Sequence, residues 1–269
     1  MTIFLDYNAT SPLRPEVKKA MMNFLGPPSN PSSIHKYGRD AKALLERSRQ
    51  QVASLVGSST DDVTFTSGGT ESNAMVLSNA KKPLISAIEH EAVLKTCKNS
   101  TLLKVNENGV VNLNDLEEKL KKVNPDYLSI MWANNETGVI QPIEKIVEIA
   151  SPYGVHIHCD AVQALGKIPI NFNDSGLDSM SISGHKIGSP AGIGALILSG
   201  EADIKPFING GGQEKGKRSG TENLIGAIGF GTACKIVKSE LSKPNQIFTK
   251  QKDFENKIKT LKEVIIIGE

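Results

Sequence analysis

The sequence predicts an α/β fold built on a mostly parallel sheet, and three observations carry that reading. Apolar runs of four to six residues alternate along the chain with segments at helical spacing, the pattern of successive βα units. Polar or glycine-rich turns follow the apolar runs, at the edge where such sheets bind ligands. No internal repeat or low-complexity tract breaks the alternation.

Taken in order, residues 3–5 (Ile3-Phe4-Leu5) predict a short strand entering a polar turn that ends at Pro12. Helical spacing covers 14–25 and 37–56, the second placing Ala41, Leu44, Leu45, Val52 and Leu55 on one face. Between them, Gly26-Pro27-Pro28-Ser29-Asn30-Pro31 has to be a loop. A strand at 62–66 precedes a helix at 71–78. Further strands are expected at 83–88, 102–105, 127–132, 156–159, 179–183 and 194–198, with helices over 113–123, 142–151 and 224–242. After Pro244-Asn245, a helical segment over 246–262 leads into a strand at 264–269 that has nothing after it to pack on. The organisation expected is an N-terminal arm over 1–12, a large domain over 13–243, and the start of an incomplete second domain over 244–269.

Bulk composition narrows the function classes. A chain of 269 residues holds one large domain, or one domain and part of another. Lys+Arg 31 against Asp+Glu 29 leaves a net charge of +2, and no basic block is interleaved with aromatics, which argues against nucleic acid. No apolar run approaches the roughly 20 residues of a membrane span. The opening MTIFLDYNATSP has neither a basic nor an apolar signal-peptide region, so a cytoplasmic protein is expected. The three cysteines, Cys97, Cys159 and Cys234, form no CxxC and are expected as reduced, packed thiols, Cys97 and Cys234 in helices.

Chemistry concentrates at the strand ends. Thr66-Ser67-Gly68-Gly69-Thr70-Glu71 joins a strand to a helix, where glycines admit an anion and Thr70 adds a hydroxyl to the helix N-terminal amides; a plain N-cap is the alternative. Ser183-Gly184-His185-Lys186 has SxxK spacing but no SDN or KTG, and puts a lysine on a polar turn, either as a solvated surface lysine or as an amine for Schiff-base chemistry. His156-Ile157-His158-Cys159-Asp160 has the HxHxD look of a metal site, yet the alternation is that of a strand, and Asp160 reads better as an acid aimed at a cofactor cation. His90 is either a cap or a ring that stacks on a flat ligand; Asn135 is either a turn residue or a ligand contact. Thr70, His90, Asn135, Asp160 with Gln163, and Lys186 stand at five strand ends, which points to one convergent site. The loop 209–221, with Lys215, Lys217, Arg218 and Thr221, is either a mobile surface loop or a phosphate contact, in this subunit or in a partner.

These segments together resemble the cysteine desulfurase family, in the class V aminotransferase group of fold-type I pyridoxal-phosphate enzymes. The matching stretches are Leu5-Asp6-Tyr7-Asn8-Ala9-Thr10, Asn30-Pro31-Ser32-Ser33-Ile34-His35, residues 65–73, Glu89-His90, Asn134-Asn135-Glu136, Asp160-Ala161-Val162-Gln163, Ser183-Gly184-His185-Lys186 and Arg218-Ser219-Gly220-Thr221. They run in the family's order along essentially the whole chain. The resemblance implies the large domain of that fold, with an incomplete small domain, and pyridoxal 5'-phosphate held covalently by Lys186, which also moves the substrate's Cα proton. It implies Asp160 on the pyridine nitrogen, His90 stacked on the ring and assisting proton transfer, and Gln163 on the phenolic oxygen. Gly69, Thr70, Ser183 and His185 would cradle the phosphate, joined by Thr221 of a neighbouring subunit in a homodimer. Asn135 would lie near the ring oxygen and the substrate carboxylate.

The implied reaction converts L-cysteine to L-alanine and passes the sulfur toward iron-sulfur cluster or thio-cofactor assembly, through an acceptor or scaffold protein. The family's persulfide-forming cysteine and carboxylate-binding arginine belong to a C-terminal region that is expected to lie outside this chain. No metal is expected. Two alternatives stand beside this expectation: a non-catalytic remnant or split-gene half that folds and binds the cofactor, and a class V aminotransferase or selenocysteine lyase.

Overall fold

The alternating runs close into one sheet of seven strands. The computed structural model describes residues 3–200, 202, 204–242, 246–264 and 266. The strands are β1 (Val63–Thr66), β2 (Pro83–Ser86), β3 (Thr101–Leu103), β4 (Tyr127–Met131), β5 (His156–Asp160), β6 (Ser179–Ser183) and β7 (Gly194–Leu198). Their order is β1-β7-β6-β5-β4-β2-β3. The β2, β3, β4, β5 and β6 pairings are parallel, and β7 runs antiparallel to both β1 and β6.

The helices are α1 (Pro15–Met22), α2 (Lys36–Val56), α3 (Gly69–Leu77), α4 (Glu91–Leu94), α5 (Leu113–Val123), α6 (Ile143–Ala150), α7 (Phe172–Ser175), α8 (Leu224–Leu241) and α9 (Gln246–Ile258). Their ends are set locally. His35 caps α2 by accepting the Gly38 N–H, and Gly57 closes that helix in the left-handed region. Asn112 and Asn124 do the same at the two ends of α5.

Alternate side chains of the central strands separate the two faces of the sheet. Ile157 and Cys159 of β5 and Met180 and Ile182 of β6 enter one apolar core with Val52 and Val56 of α2 and Phe230 and Ala233 of α8. Each fully buried aliphatic or aromatic side chain there stabilises the fold by about 1.5–3 kcal/mol. On the other face a smaller cluster gathers Met75, Val76 and Leu77 of α3 with Ile85, Val93, Leu196 and Leu198. Between that cluster and the cavity described below, β5 and β6 present polar residues to α3.

Several expectations need correction. Residues 3–5 are not a strand: they are irregular and exposed, with no neighbouring strand to pair with. The arm runs instead along the turn after β6, where Ser11 N–H donates to His185 C=O at 2.9 Å and Arg14 N–H to Gly188 C=O at 3.1 Å. The strand expected at 102–105 starts at Thr101 and ends at Leu103, leaving Val105 in an isolated bridge with Val111. Cys97 follows α4 in an irregular segment, not in a helix, and α4 and α7 themselves are too short to show periodicity. The helix expected over 246–262 stops at Ile258. Of the strand expected at 264–269, Val264 and Ile266 are irregular and the other positions lie outside the described residues, as does the boundary at 243–244. Among the described residues no helix is long and apolar enough to cross a membrane.

Candidate active site

The C-terminal ends of β4, β5 and β6 and the start of α3 enclose a cavity of about 520 Å³. β5 delivers Asp160 as its last residue. β6 delivers Ser183 and then a tight turn, Gly184–Ile187, that displays His185 and Lys186. Gly69, Thr70, His90, Asn135, Asp160, Gln163, Ser183, His185 and Lys186 all line this cavity. Thr221 does not.

Asp160 and Lys186 form the electrostatic axis. Burial holds the Asp160 carboxyl above its ordinary value, partly offset by the Val162 N–H, the Asn73 amide and the charges of His90 and Lys186. Its oxygens accept from Val162 N–H at 3.0 Å and Asn73 Nδ2 at 2.7 Å. Burial lowers the Lys186 amine below its ordinary value, against the charges of Asp160, Asp6 and Glu136. Lys186 Nζ donates to the Asn8 carbonyl of the N-terminal arm.

The anion end of the cavity is the start of α3. Its N-cap is Gly68, with no side-chain cap, so the amides of the first turn lack the competitor that a Ser or Asp cap would supply. Thr70, Ser183 and His185 add hydroxyls and a ring nitrogen around it. Gly69 leaves room here, since a Cβ would stand 2.6 Å from Val162 Cγ2 and that side chain would have to shift. His185 is held below its ordinary pKa by burial and by Lys186, and its Nδ1 lies 3.2 Å from the Thr10 hydroxyl.

Of the two readings, His90 forms the cap. Its Nδ1 accepts the Ala92 N–H at 3.1 Å and caps α4, while the ring faces the cavity. In the Asn134-Asn135 pair the turn falls to the first residue. Asn134 Oδ1 accepts the N–H groups of Glu136 and Thr137, both at 2.9 Å, and makes the turn; Asn135 lines the cavity. Gln163 Nε2 donates to Asn8 C=O at 3.0 Å, which ties the arm to the site.

Thr221 is exposed and outside this cavity. Its loop is anchored by three ion pairs, one of them the surface pair of Lys215 with Asp61. Arg49 grips Glu214 at 2.6 Å, both groups buried, and Arg218 binds Glu71 in the first turn of α3 at 2.8 Å.

Sequence reasoning missed three contributors. Asn73 sits one helical turn beyond Thr70 and holds Asp160. Asn8 supplies the carbonyl that meets Lys186 and Gln163. Glu89, 5% exposed, accepts the Met131 N–H at 2.6 Å, and burial plus the Asp160 charge push its carboxyl well above the usual range. Burial raises both of these neighbouring carboxyls, Glu89 further above its ordinary value. All three residues lay inside stretches already quoted for the resemblance, and only their contacts were out of reach. The ring nitrogens of His156 and His158 bond to Ser179 and Asn73, and no cluster able to hold a metal occurs among the described residues. Cys97, Cys159 and Cys234 are buried free thiols; burial raises the first to about 11 and the other two further.

Comparison with known proteins adds an independent line. The family model described as Aminotransferase class-V matches residues 3–268. The chain is similar to the cysteine desulfurase IscS of Dictyoglomus turgidum, 41% identical over 268 residues, covering 94% of this chain and 68% of that protein. It is similar to the cysteine desulfurase of Homo sapiens, 38% identical, covering 99% of this chain and 63% of that protein. The solved structure of a NifS-like protein from Rickettsia africae superimposes with a TM-score of 0.93 at 41% identity, covering 100% of this chain and 78% of that one. The chain thus spans about two thirds of the length of these curated relatives.

Proposed function

Because the chain belongs to the cysteine desulfurase branch of the class-V aminotransferases, we propose that it binds pyridoxal 5'-phosphate on Lys186 and takes the sulfur from L-cysteine, leaving L-alanine. One observation carries the proposal: a half-buried lysine and a buried, hydrogen-bonded aspartate face one cavity beside an uncapped helix N-terminus.

The donor set fits this cofactor. The α3 amides, Thr70, Ser183 and His185 suit its phosphate, and Gly69 leaves room where a Cβ would meet Val162. Asp160 suits a protonated ring nitrogen, His90 a ring face, and Gln163 the phenolic oxygen. When bound, the cofactor supplies an electron sink for the pair left at the substrate's Cα. The chain's own groups do the rest. Asp160 holds the ring nitrogen's proton in place. Lys186, its amine pKa lowered by burial, has a larger neutral fraction with which to take and return the Cα proton. Asn135 orients the substrate carboxylate, and the arm, through Asn8, sets where the Lys186 amine rests before substrate arrives.

The sulfur-accepting thiol is not Cys97, Cys159 or Cys234, which are buried with raised pKa values and do not line the cavity. In a homodimer, Thr221 would reach the phosphate of the second subunit, and the sulfur would pass to an acceptor or scaffold protein for iron-sulfur or thio-cofactor assembly.

Borohydride reduction of the protein incubated with pyridoxal phosphate, followed by peptide mass mapping, tests the anchor. The adduct is expected on Lys186 and absent from Lys186→Ala; an adduct on another lysine, or none, overturns the reading. Sulfide and alanine release from cysteine, measured with an added thiol acceptor, tests the reaction. Keto-acid transamination in its place would move the chain to the aminotransferases.

A further inference from the structure

Behind Asp160 a line of four side chains crosses the buried polar layer between α3 and the sheet. Asn73 Nδ2 donates to Asp160 Oδ2 at 2.7 Å, and Asn73 Oδ1 lies 2.9 Å from His158 Nε2. His158 Nδ1 lies 2.8 Å from Ser179 Oγ, and that same oxygen lies 2.7 Å from His156 Nε2. Ser179, His158 and Asn73 are at most 1% exposed, so each polar atom there depends on its neighbour and not on water. Asp160 and His156 stand four residues apart on one face of β5, about 13 Å along the strand. His156 itself is half-buried at the far edge of the sheet, its ring 4.7 Å from that of Tyr127.

We propose that Asn73, His158, Ser179 and His156 form a one-way hydrogen-bond chain whose donors all point toward Asp160, and that Ser179 and His156, remote from the cavity, are positioning residues for its carboxylate. The direction follows from which atoms own hydrogens. An anionic Asp160 only accepts, so the Asn73 NH₂ faces it and the Asn73 carbonyl faces His158. An amide oxygen also only accepts, so His158 Nε2 carries a hydrogen. Burial pushes the His158 pKa down to about 3, so at neutral pH the ring has that hydrogen and no other. Its bare Nδ1 then accepts from the Ser179 hydroxyl, whose oxygen in turn accepts from His156 Nε2–H. Ser181 Oγ, 3.4 Å from His158 Nε2, is a second and weaker acceptor on the same side.

The reverse direction is the only other way to satisfy these atoms. It turns the Asn73 carbonyl toward Asp160, and Asp160 must then carry a proton to donate to it. Burial favours that state, and the Val162 N–H, already donated to Asp160 at 3.0 Å, and the charges of His90 and Lys186 oppose it. Losing Ser179 or the His156 donor therefore frees His158 to change tautomer, lets Asn73 rotate, and weakens the hold on the anionic form of Asp160. This gives the HxHxD pattern a role that involves no metal.

The inference rests on the cofactor reading only for the use to which Asp160 is put, and its first test needs no cofactor. Nitrogen-15 NMR of the histidine rings in the apoprotein is expected to show His158 neutral with its hydrogen on Nε2. That signature should persist in His156→Gln, which keeps a donor, and become a tautomer mixture in Ser179→Ala and His156→Phe. Pyridoxal phosphate affinity should fall about three- to tenfold in the latter two and stay near wild type in His156→Gln. Circular dichroism melts confirm that each variant is folded, and His156, being half-buried, serves if Ser179→Ala is not. A wild-type hydrogen on Nδ1 overturns the direction. An unchanged tautomer or unchanged affinity in the folded donor-deleting variants overturns the chain. If the unsubstituted protein binds no cofactor, the functional reading fails and the tautomer alone decides the chain.

Discussion

Glu214→Ala is the substitution whose cost the structure defines best. Glu214 is 7% exposed and Arg49 3%. The carboxylate accepts from Arg49 Nη1 at 2.6 Å, from Nη2 at 2.9 Å and from the Phe65 N–H of β1 at 2.8 Å. Removing it leaves a buried guanidinium with Val63 C=O at 2.8 Å, the half-exposed Glu46 at 3.3 Å and the Phe65 ring at 4.8 Å as its remaining partners. It also strips the edge strand of one acceptor. Breaking a buried pair from one side costs about 3–5 kcal/mol, because the surviving charge is left without its counterion. For a domain of this size that is a fall in Tm of roughly 6–20 °C. Arg218→Ala, which breaks the more exposed pair with Glu71, should cost no more than about 1 kcal/mol. Replacing both buried partners, Arg49→Met with Glu214→Leu, should recover most of the loss. Urea unfolding followed by circular dichroism measures all three. A loss under about 1 kcal/mol for Glu214→Ala, or a double variant no better than the single, would refute the assignment of this pair as the anchor of the 209–221 loop.

Two further outcomes follow from the site itself. Gly69→Ala puts a Cβ 2.6 Å from Val162 Cγ2 and should weaken pyridoxal phosphate binding, while Gly69→Ala with Val162→Ala should restore it; spectroscopic titration of the apoprotein reads both. Acid lability is expected from His158, neutral in the fold down to about 3 but titrating near 6.5 once unfolded. Below pH 6.5 the unfolded chain binds the extra proton, so this contribution is complete above 6.5 and is lost as the pH falls toward 3. The slope is about 1.4 kcal/mol per pH unit, up to about 5 kcal/mol in all. Unfolding curves between pH 7 and 4 should show that slope, and His158→Asn should flatten it.

The sheet was legible wherever an apolar run was long enough to need burial on both faces. β4, β6 and β7 lie within a residue of where the pattern puts them, and so do α5, α6 and α8. The exceptions have physical reasons. Ile3-Phe4-Leu5 has strand composition but no neighbour to complete a ladder, so the chain instead bonds the turn that carries Lys186. α4 and α7, four residues each, hold too little sequence for a helical period to emerge. The candidate site was legible because each of its residues closes a strand or follows one within a few residues, and strand ends are visible one at a time. Asn73, Asn8 and Glu89 were not, because each matters through a contact with a distant segment: Asp160 for the first, Lys186 and Gln163 for the second, and the β4 backbone for the third.

One departure from the expected pattern was visible in the sequence but could not be interpreted there. Strands in the middle of a parallel sheet are covered on both faces and normally read as continuous apolar runs. His156-Ile157-His158-Cys159-Asp160 and Ser179-Met180-Ser181-Ile182-Ser183 instead alternate, as a half-solvated strand would, although His158, Ser179 and Ser181 are fully buried. Aliphatic side chains at those positions would pack without any bonding requirement, whereas each polar one must find a partner or cost about 1–3 kcal/mol. The register that pairs His158 with Ser179, and the packing that brings Asn73 of α3 against both His158 and Asp160, meet that requirement. Stability alone gives no reason to build a core this way. A buried carboxylate does, because aligned donors behind it add to the Val162 N–H and the nearby cations in favouring its anionic form.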